Sequence, residues 1–179
     1  VSDLNTIAFL GWMEANGGDP KSVKVFEVPY SVIVPAIEQG RIDAGTLIQP
    51  QLGLALRDAK VRGFAKTYDA ISTHFYITCW LTTSSFASAN PDAVRRFAGV
   101  MREAEIYCNA HKADTAEMLA NFSAIDLDTV KGGGRDVYGA SYLDVNNLQP
   151  VIDACVRYKV IDKRFDATDL ISAAVRGLH

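Results

Sequence analysis

The residues best suited to acid–base, nucleophilic or metal chemistry in this chain are three histidines, His74, His111 and His179, and three cysteines, Cys79, Cys108 and Cys155. None of them stands in a spacing that uses that chemistry. A metal site needs several imidazole or thiolate ligands converging, and these six are far apart, with no C-x-x-C and no H-E-x-x-H. There is no G-x-S-x-G nucleophile elbow and no P-loop either. An odd number of widely spaced cysteines suggests no disulfide framework. Cys108 and Cys155 fall on the apolar faces of expected helices, where a thiol behaves as a small hydrophobe. His111 sits where a helix should end, and a helix dipole accounts for it there. No catalytic residue, metal ligand or cofactor is therefore expected.

What remains is the chemistry of binding. Lys131-Gly132-Gly133-Gly134-Arg135 offers consecutive glycines whose backbone N–H groups can face an anion, although the stretch also reads as a helix stop followed by a loop. Arg135 adds a planar fork that fits a carboxylate or sulfonate. Ser2-Asp3-Leu4-Asn5-Thr6 precedes a helix. There Ser2, Asn5 and Thr6 either cap the helix or lend hydroxyl and amide donors to an anion at its positive end. Asp3 opposes a purely anionic ligand unless it points away. Gln49 and Tyr30 follow expected strands, at the carboxyl ends where open parallel sheets hold their ligands. His74 opens a later extended segment and completes the candidate set.

The elements that must position these residues alternate along the first 70 residues. Ile7, Phe9, Leu10 and Met13 predict a helix from Thr6 to Ala15, stopped by Gly17-Gly18. Val23 to Val28, Ile42 to Ile48 and Val61 to Ala65 read as short strands. Between them lie a helix from about Ile33 to Gln39, its start limited by Pro35, and another from Gln51 to Asp58. Such alternation predicts βαβ crossovers and a mostly parallel sheet. His74 to Thr83, rich in aromatic and β-branched residues, reads as one long strand. Beyond it the chain should be helical. Asn90-Pro91-Asp92 supplies a cap, a first-turn proline and an acid. Further helices are expected over Ala113 to Phe122 and Asn147 to Lys159, with a short one capped by Asp166.

Of the 179 residues, 49% are hydrophobic and 22% charged, and the net charge is -3. That balance supports an ordinary folded core. Scattered Lys and Arg leave no basic face for nucleic acid. The chain opens on Val1-Ser2-Asp3 rather than Met, so an N-terminal piece carrying any signal and a first strand is expected to be missing.

Several stretches together resemble a known family. They are Val1-Ser2 ahead of a helix, Gly17-Gly18-Asp19-Pro20-Lys21-Ser22-Val23, and Ala36-Ile37-Glu38-Gln39-Gly40-Arg41-Ile42-Asp43-Ala44. To these add Asn90-Pro91-Asp92-Ala93-Val94-Arg95-Arg96-Phe97 and Leu148-Gln149-Pro150-Val151-Ile152-Asp153, followed by Tyr158 and Ile161-Asp162. The pattern is similar to the ABC-transporter solute-binding proteins for taurine, alkanesulfonates, nitrate and thiamine-pyrimidine precursors. The resemblance implies an α/β fold of the type II periplasmic-binding class. Residues 1–72 would form most of a second, parallel-sheet lobe, 73–85 a hinge strand, and 86–179 helical material packing on the first lobe. It further implies capture of a small molecule by hinge closure, an ABC permease as partner, and a periplasmic or lipid-anchored extracellular location. Gln49 falls where many members carry an acid before the proline, which disfavours an amine-bearing ligand such as taurine. Two other readings share the fold: an enzyme of thiamine-pyrimidine or menaquinone precursor synthesis, and the ligand-sensing domain of a regulator.

Overall fold

The structure is a computed structural model that describes residues 3–49, 51–58, 61–139 and 141–178. Among them are eight α-helices: α1 (Leu4–Ala15), α2 (Tyr30–Glu38), α3 (Gln51–Arg57), α4 (Ser84–Ala89), α5 (Pro91–Ala110), α6 (Ala116–Ser123), α7 (Leu127–Gly132) and α8 (Val145–Arg157). Short 3-10 turns lie at Pro20–Ser22, Thr67–Ala70 and Ala167–Leu170.

No β-strand occurs among the described residues, and this overturns the expectation of an α/β fold with a parallel-sheet lobe and a hinge strand. The segments Val23 to Val28, Ile42 to Ile48, Val61 to Ala65 and His74 to Thr83 run without ladder partners. The physical reason is that β-branched and aromatic alternation marks a segment fit for a pleated, half-buried surface, while the strand itself exists only once a neighbour pairs with it. Unpaired, these segments keep their apolar side chains in water: Phe26, Phe64, Ile77, Trp80 and Leu81 are all exposed.

The helices follow local signals more closely. Asp3 caps α1, and Gly17 at φ 78° ends it while the Gly18 N–H donates to the Met13 carbonyl, the glycine stop read from sequence. α5 begins at Pro91 with Asp92 in its first turn, paired to Arg95 at 2.7 Å. α2 starts three residues before the expected Ile33, so Pro35 lies inside the helix and gives up one backbone bond there. α4 and α7 were not anticipated. Thr83 accepts the Phe86 N–H at the start of α4, and Asp126 accepts the Thr129 N–H at the start of α7.

Two compact units form, one from Lys24–Lys66 and Cys108–Val137, the other from Ser2–Val23, Thr67–Tyr107 and Tyr138–His179. In the first, Ala116, Ala120 and Val130 bury the contact of α6 with α7, flanked by Leu119, Ile125 and Leu127. Ile33, Ala36 and Ala55 are buried on α2 and α3. In the second, α1 packs on the Thr67–Ala70 turn and α8 on Ala167–Leu170, burying Ile7, Ala8, Ile152, Ala167 and Ile171. Gln149 ties the latter pair, accepting the Ala167 N–H at 2.9 Å and donating to the Phe165 carbonyl at 3.1 Å.

Ala124, the C-cap of α6, stands at φ 55°, in the left-handed region where a Cβ costs roughly 1–2 kcal/mol. Ala124→Gly is therefore expected to stabilise the protein by about 1 kcal/mol, a rise of roughly 2–4 °C in thermal midpoint. A lowered midpoint would show that Ala124 contributes packing that outweighs the strain.

Candidate functional site

In the second unit, the start of α1 places two of the candidate residues, Asn5 and Thr6. Asp3 Oδ1 accepts the Thr6 N–H at 2.8 Å, and Asp3 Oδ2 accepts from the Asn5 amide at 3.3 Å. Burial would raise the Asp3 pKa, but the bonds from Thr6 and Asn5 outweigh it and hold the carboxyl below its ordinary range. The Asn5 side-chain Oδ1 accepts the Tyr68 hydroxyl at 2.7 Å, and Tyr68 meets Phe75 edge-on at 5.6 Å. A carboxylate thus stands where the helix N-terminus would attract an anion, and Asn5 locks α1 to the neighbouring turn. His74, nearby in sequence, is exposed, and its backbone N–H donates to Ser72 Oγ at 3.4 Å. Ser2 lies outside the described residues.

The first unit holds Tyr30, Gln49 and Arg135. Tyr30 opens α2. Gln49 precedes α3, and its amide lies between two glycines: a Cβ on Gly53 would meet Gln49 Oε1 at 3.1 Å, and one on Gly134 would meet Nε2 at 3.2 Å. The absence of side chains at these two positions is what admits the amide. Gln49 is thereby brought beside the Gly134-Arg135 step, a contact between residues 85 apart that no local pattern announces.

Arg135 is anchored from the far side. Its Nη1 donates to the Lys112 carbonyl at 3.0 Å and its Nη2 to Thr115 Oγ1 at 3.2 Å. Thr115 is buried and donates its own hydroxyl proton to the His111 carbonyl at 2.9 Å. Around Arg135 opens a cavity of about 440 Å³ lined by Lys112, Ala113, Ala116, Val130, Lys131, Gly133 and Arg135. Its wall toward α7 is fixed by Thr129, which takes a bond from Arg57 Nη1 at 2.9 Å and gives one to Asp126. The Asp126 carboxyl is held below its usual pKa, first by the Thr129 hydroxyl and then by the Thr129 N–H. Sequence reading singled out Arg135 and the triglycine but missed Lys112, which reaches the same cavity from 23 positions away. The signal available was its place just beyond the end of α5.

Among the described residues, no three His, Cys, Asp or Glu side chains converge where a metal ion could sit. No helix among them is long and apolar enough to cross a membrane. The thiols of Cys79 and Cys155 are pushed up by burial, and Cys79 also by the charge of Glu105, so neither is activated as a nucleophile.

Comparison with known proteins adds two findings. A family model described as NMT1/THI5 like matches residues 1–115. A protein of Bacillus subtilis (strain 168), described as a candidate aliphatic sulfonates-binding protein, is 23% identical over 155 residues, covering 83% of this chain and 46% of the relative. The chain thus spans about half the length of that relative. No solved structure matches the chain. The matched residues 1–115 include Asn5, Thr6, Tyr30, Gln49, His74 and Lys112, while Lys131 and Arg135 lie beyond them.

Proposed function

The chain belongs to the NMT1/THI5-like family, in agreement with the resemblance carried by its own sequence stretches, and from that premise we propose that it captures a small solute for an ABC importer. The observation that carries the reading is the family match over residues 1–115, joined by a relative described as binding aliphatic sulfonates. Both point to a binding protein rather than an enzyme. A periplasmic or lipid-anchored extracellular location and a membrane permease as partner follow from the same reading.

Within it, an aliphatic sulfonate is the first solute to consider, ahead of nitrate, a pyrimidine or an aromatic acid. Its head group needs hydrogen-bond donors without a competing cation on the ligand, and in the first unit Tyr30, Gln49 and Arg135 offer hydroxyl, amide and guanidinium donors. Bound solute favours whichever conformation holds it more tightly, and the permease reads that conformation.

A thermal-shift panel of linear sulfonates, nitrate, pyrimidines and aromatic acids tests this. A saturating solute present at 100 times its Kd stabilises by about 2.7 kcal/mol. Gln49→Ala is expected to reduce that shift without altering the midpoint of the unliganded protein by more than a degree or two. Turnover of a panel member, with no shift from any of them, would defeat the transport reading.

A further inference from the structure

We propose that the cavity framed by Lys112, Lys131 and Arg135 binds a tetrahedral oxyanion, the group shared by sulfate, phosphate and a sulfonate head. The proposal rests on the first unit alone and does not depend on which solute the protein transports.

Every charged side chain lining the cavity is a cation, and no carboxylate lines it. None of the three has an ion-pair partner among the described residues, and two nearby acids are engaged elsewhere. Asp114 lies 3.2 Å from His111 Nδ1, and Asp126 is bonded to Thr129. Three uncompensated positive charges around one opening repel one another, and an anion between them relieves that repulsion. Ala116 and Val130, 3% and 7% exposed, make part of the wall apolar. An apolar wall keeps water away from one side and strengthens the field at the opening.

Arg135 gives the site direction. Two of its five N–H bonds are spent on the Lys112 carbonyl and Thr115 Oγ1, which hold the guanidinium plane in place. The remaining donors stay available to a ligand, and a fork already held loses little freedom when it binds. Lys112 and Lys131 are exposed and act as mobile point charges that close over the anion. Gly133 contributes no side chain to fill the space, and a Cβ there would come within 3.0 Å of the Thr129 carbonyl. The glycine therefore keeps the cavity open and its backbone close to α7 at once.

The test is calorimetric titration of the protein with sodium sulfate, sodium phosphate and sodium ethanesulfonate, each at ionic strength matched with sodium chloride. Sulfate and phosphate are expected to bind saturably at one site. Lys112→Gln combined with Lys131→Gln should weaken sulfate at least about tenfold without lowering the thermal midpoint, since neither side chain supports the fold and their mutual repulsion is removed. Arg135→Lys keeps the charge and loses the fork, and should weaken sulfate about as much. If ethanesulfonate competes with sulfate and loses affinity in the double variant, the cavity takes sulfonate heads as well as free oxyanions. If it binds without competing, the cavity is a separate site for the inorganic anion. Sulfate binding that is absent at matched ionic strength, or unchanged in the lysine variant, overturns the proposal, and in either case the solute-capture reading still stands or falls by the solute panel.

Discussion

Gly45→Ala is expected to lower the unfolding free energy by about 2 kcal/mol, the usual range for overpacking being roughly 1–3 kcal/mol. A Cβ at position 45 would land on Cγ2 of Ile33, well inside contact distance. Ile33 is 5% exposed on α2, and a β-branched side chain in a helix has one strongly preferred rotamer, so it has nowhere to turn. The sign makes the measurement decisive. At an unstrained site, Gly→Ala stabilises by about 0.4–1 kcal/mol through the unfolded chain. A urea midpoint that falls with an unchanged slope confirms the clash. Ile33→Leu, which removes the γ2 branch, should recover part of the loss when combined with Gly45→Ala. A midpoint that rises would mean that Gly45 and Ile33 are not neighbours.

The second large effect is expected at Glu14. Its Oε2 accepts from Tyr158 Oη at 2.6 Å and from Arg157 Nη2 at 2.7 Å, joining the end of α8 to the end of α1. The Tyr158 hydroxyl lies where Gly11 carries no side chain. Glu14→Ala should cost about 1.5 kcal/mol, most of it from the charge-assisted phenol bond. The Arg157 pair is largely exposed and contributes a few tenths at most. The same contact sets a pH dependence. Burial, then the bond to Glu14, pushes the Tyr158 pKa up to about 12 from 10.0, against the opposing charge of Arg157. The folded state therefore keeps a proton that the unfolded chain releases first. Its contribution is complete below pH 10 and is lost as pH climbs toward 12. Cys79 and Cys155, also pushed up by burial, add an earlier decline. The difference between the protein and Tyr158→Phe isolates the phenol, and parallel pH profiles for the two would refute the Glu14 contact.

The residues that were legible in the sequence are those whose signal is completed by a near neighbour. Asp3, Asp126, Asp144 and Asp166 each accept a backbone N–H two or three positions on, and Gly17 needs only its own positive φ. The same signal at Asp126 and Asp144 is absent from the expected elements, which place no helix over Leu127–Gly132 and start the next one at Asn147. The expected strands failed because their signal is conditional. Val25, Phe26 and Ile48 alternate or cluster as strand residues do, but a ladder requires a partner segment, and among the described residues none pairs with them. Pro35 misled in the other direction. Its cost of one lost helix bond limits the expected start of α2 to about Ile33, yet burial of Ile33 and Ala36 outweighs it.

The candidate site divides in the same way. Asn5 and Thr6 were found because their geometry is local to a helix start, and the structure gives them capping and packing partners. Arg135 was found from its side-chain type. Its partners Lys112 and Thr115, and the approach of Gln49 to Gly134, depend on α6 and α7 folding against each other and leave no trace in spacing.

The central claim, that this member of the NMT1/THI5-like family is a solute-binding protein, is tested most directly by titrating it with a linear aliphatic sulfonate while following the fluorescence of Trp12 and Trp80. The account predicts a saturable, one-to-one change with the sulfonate recovered intact. A response that never saturates, or a sulfonate converted to another compound during the titration, would contradict it.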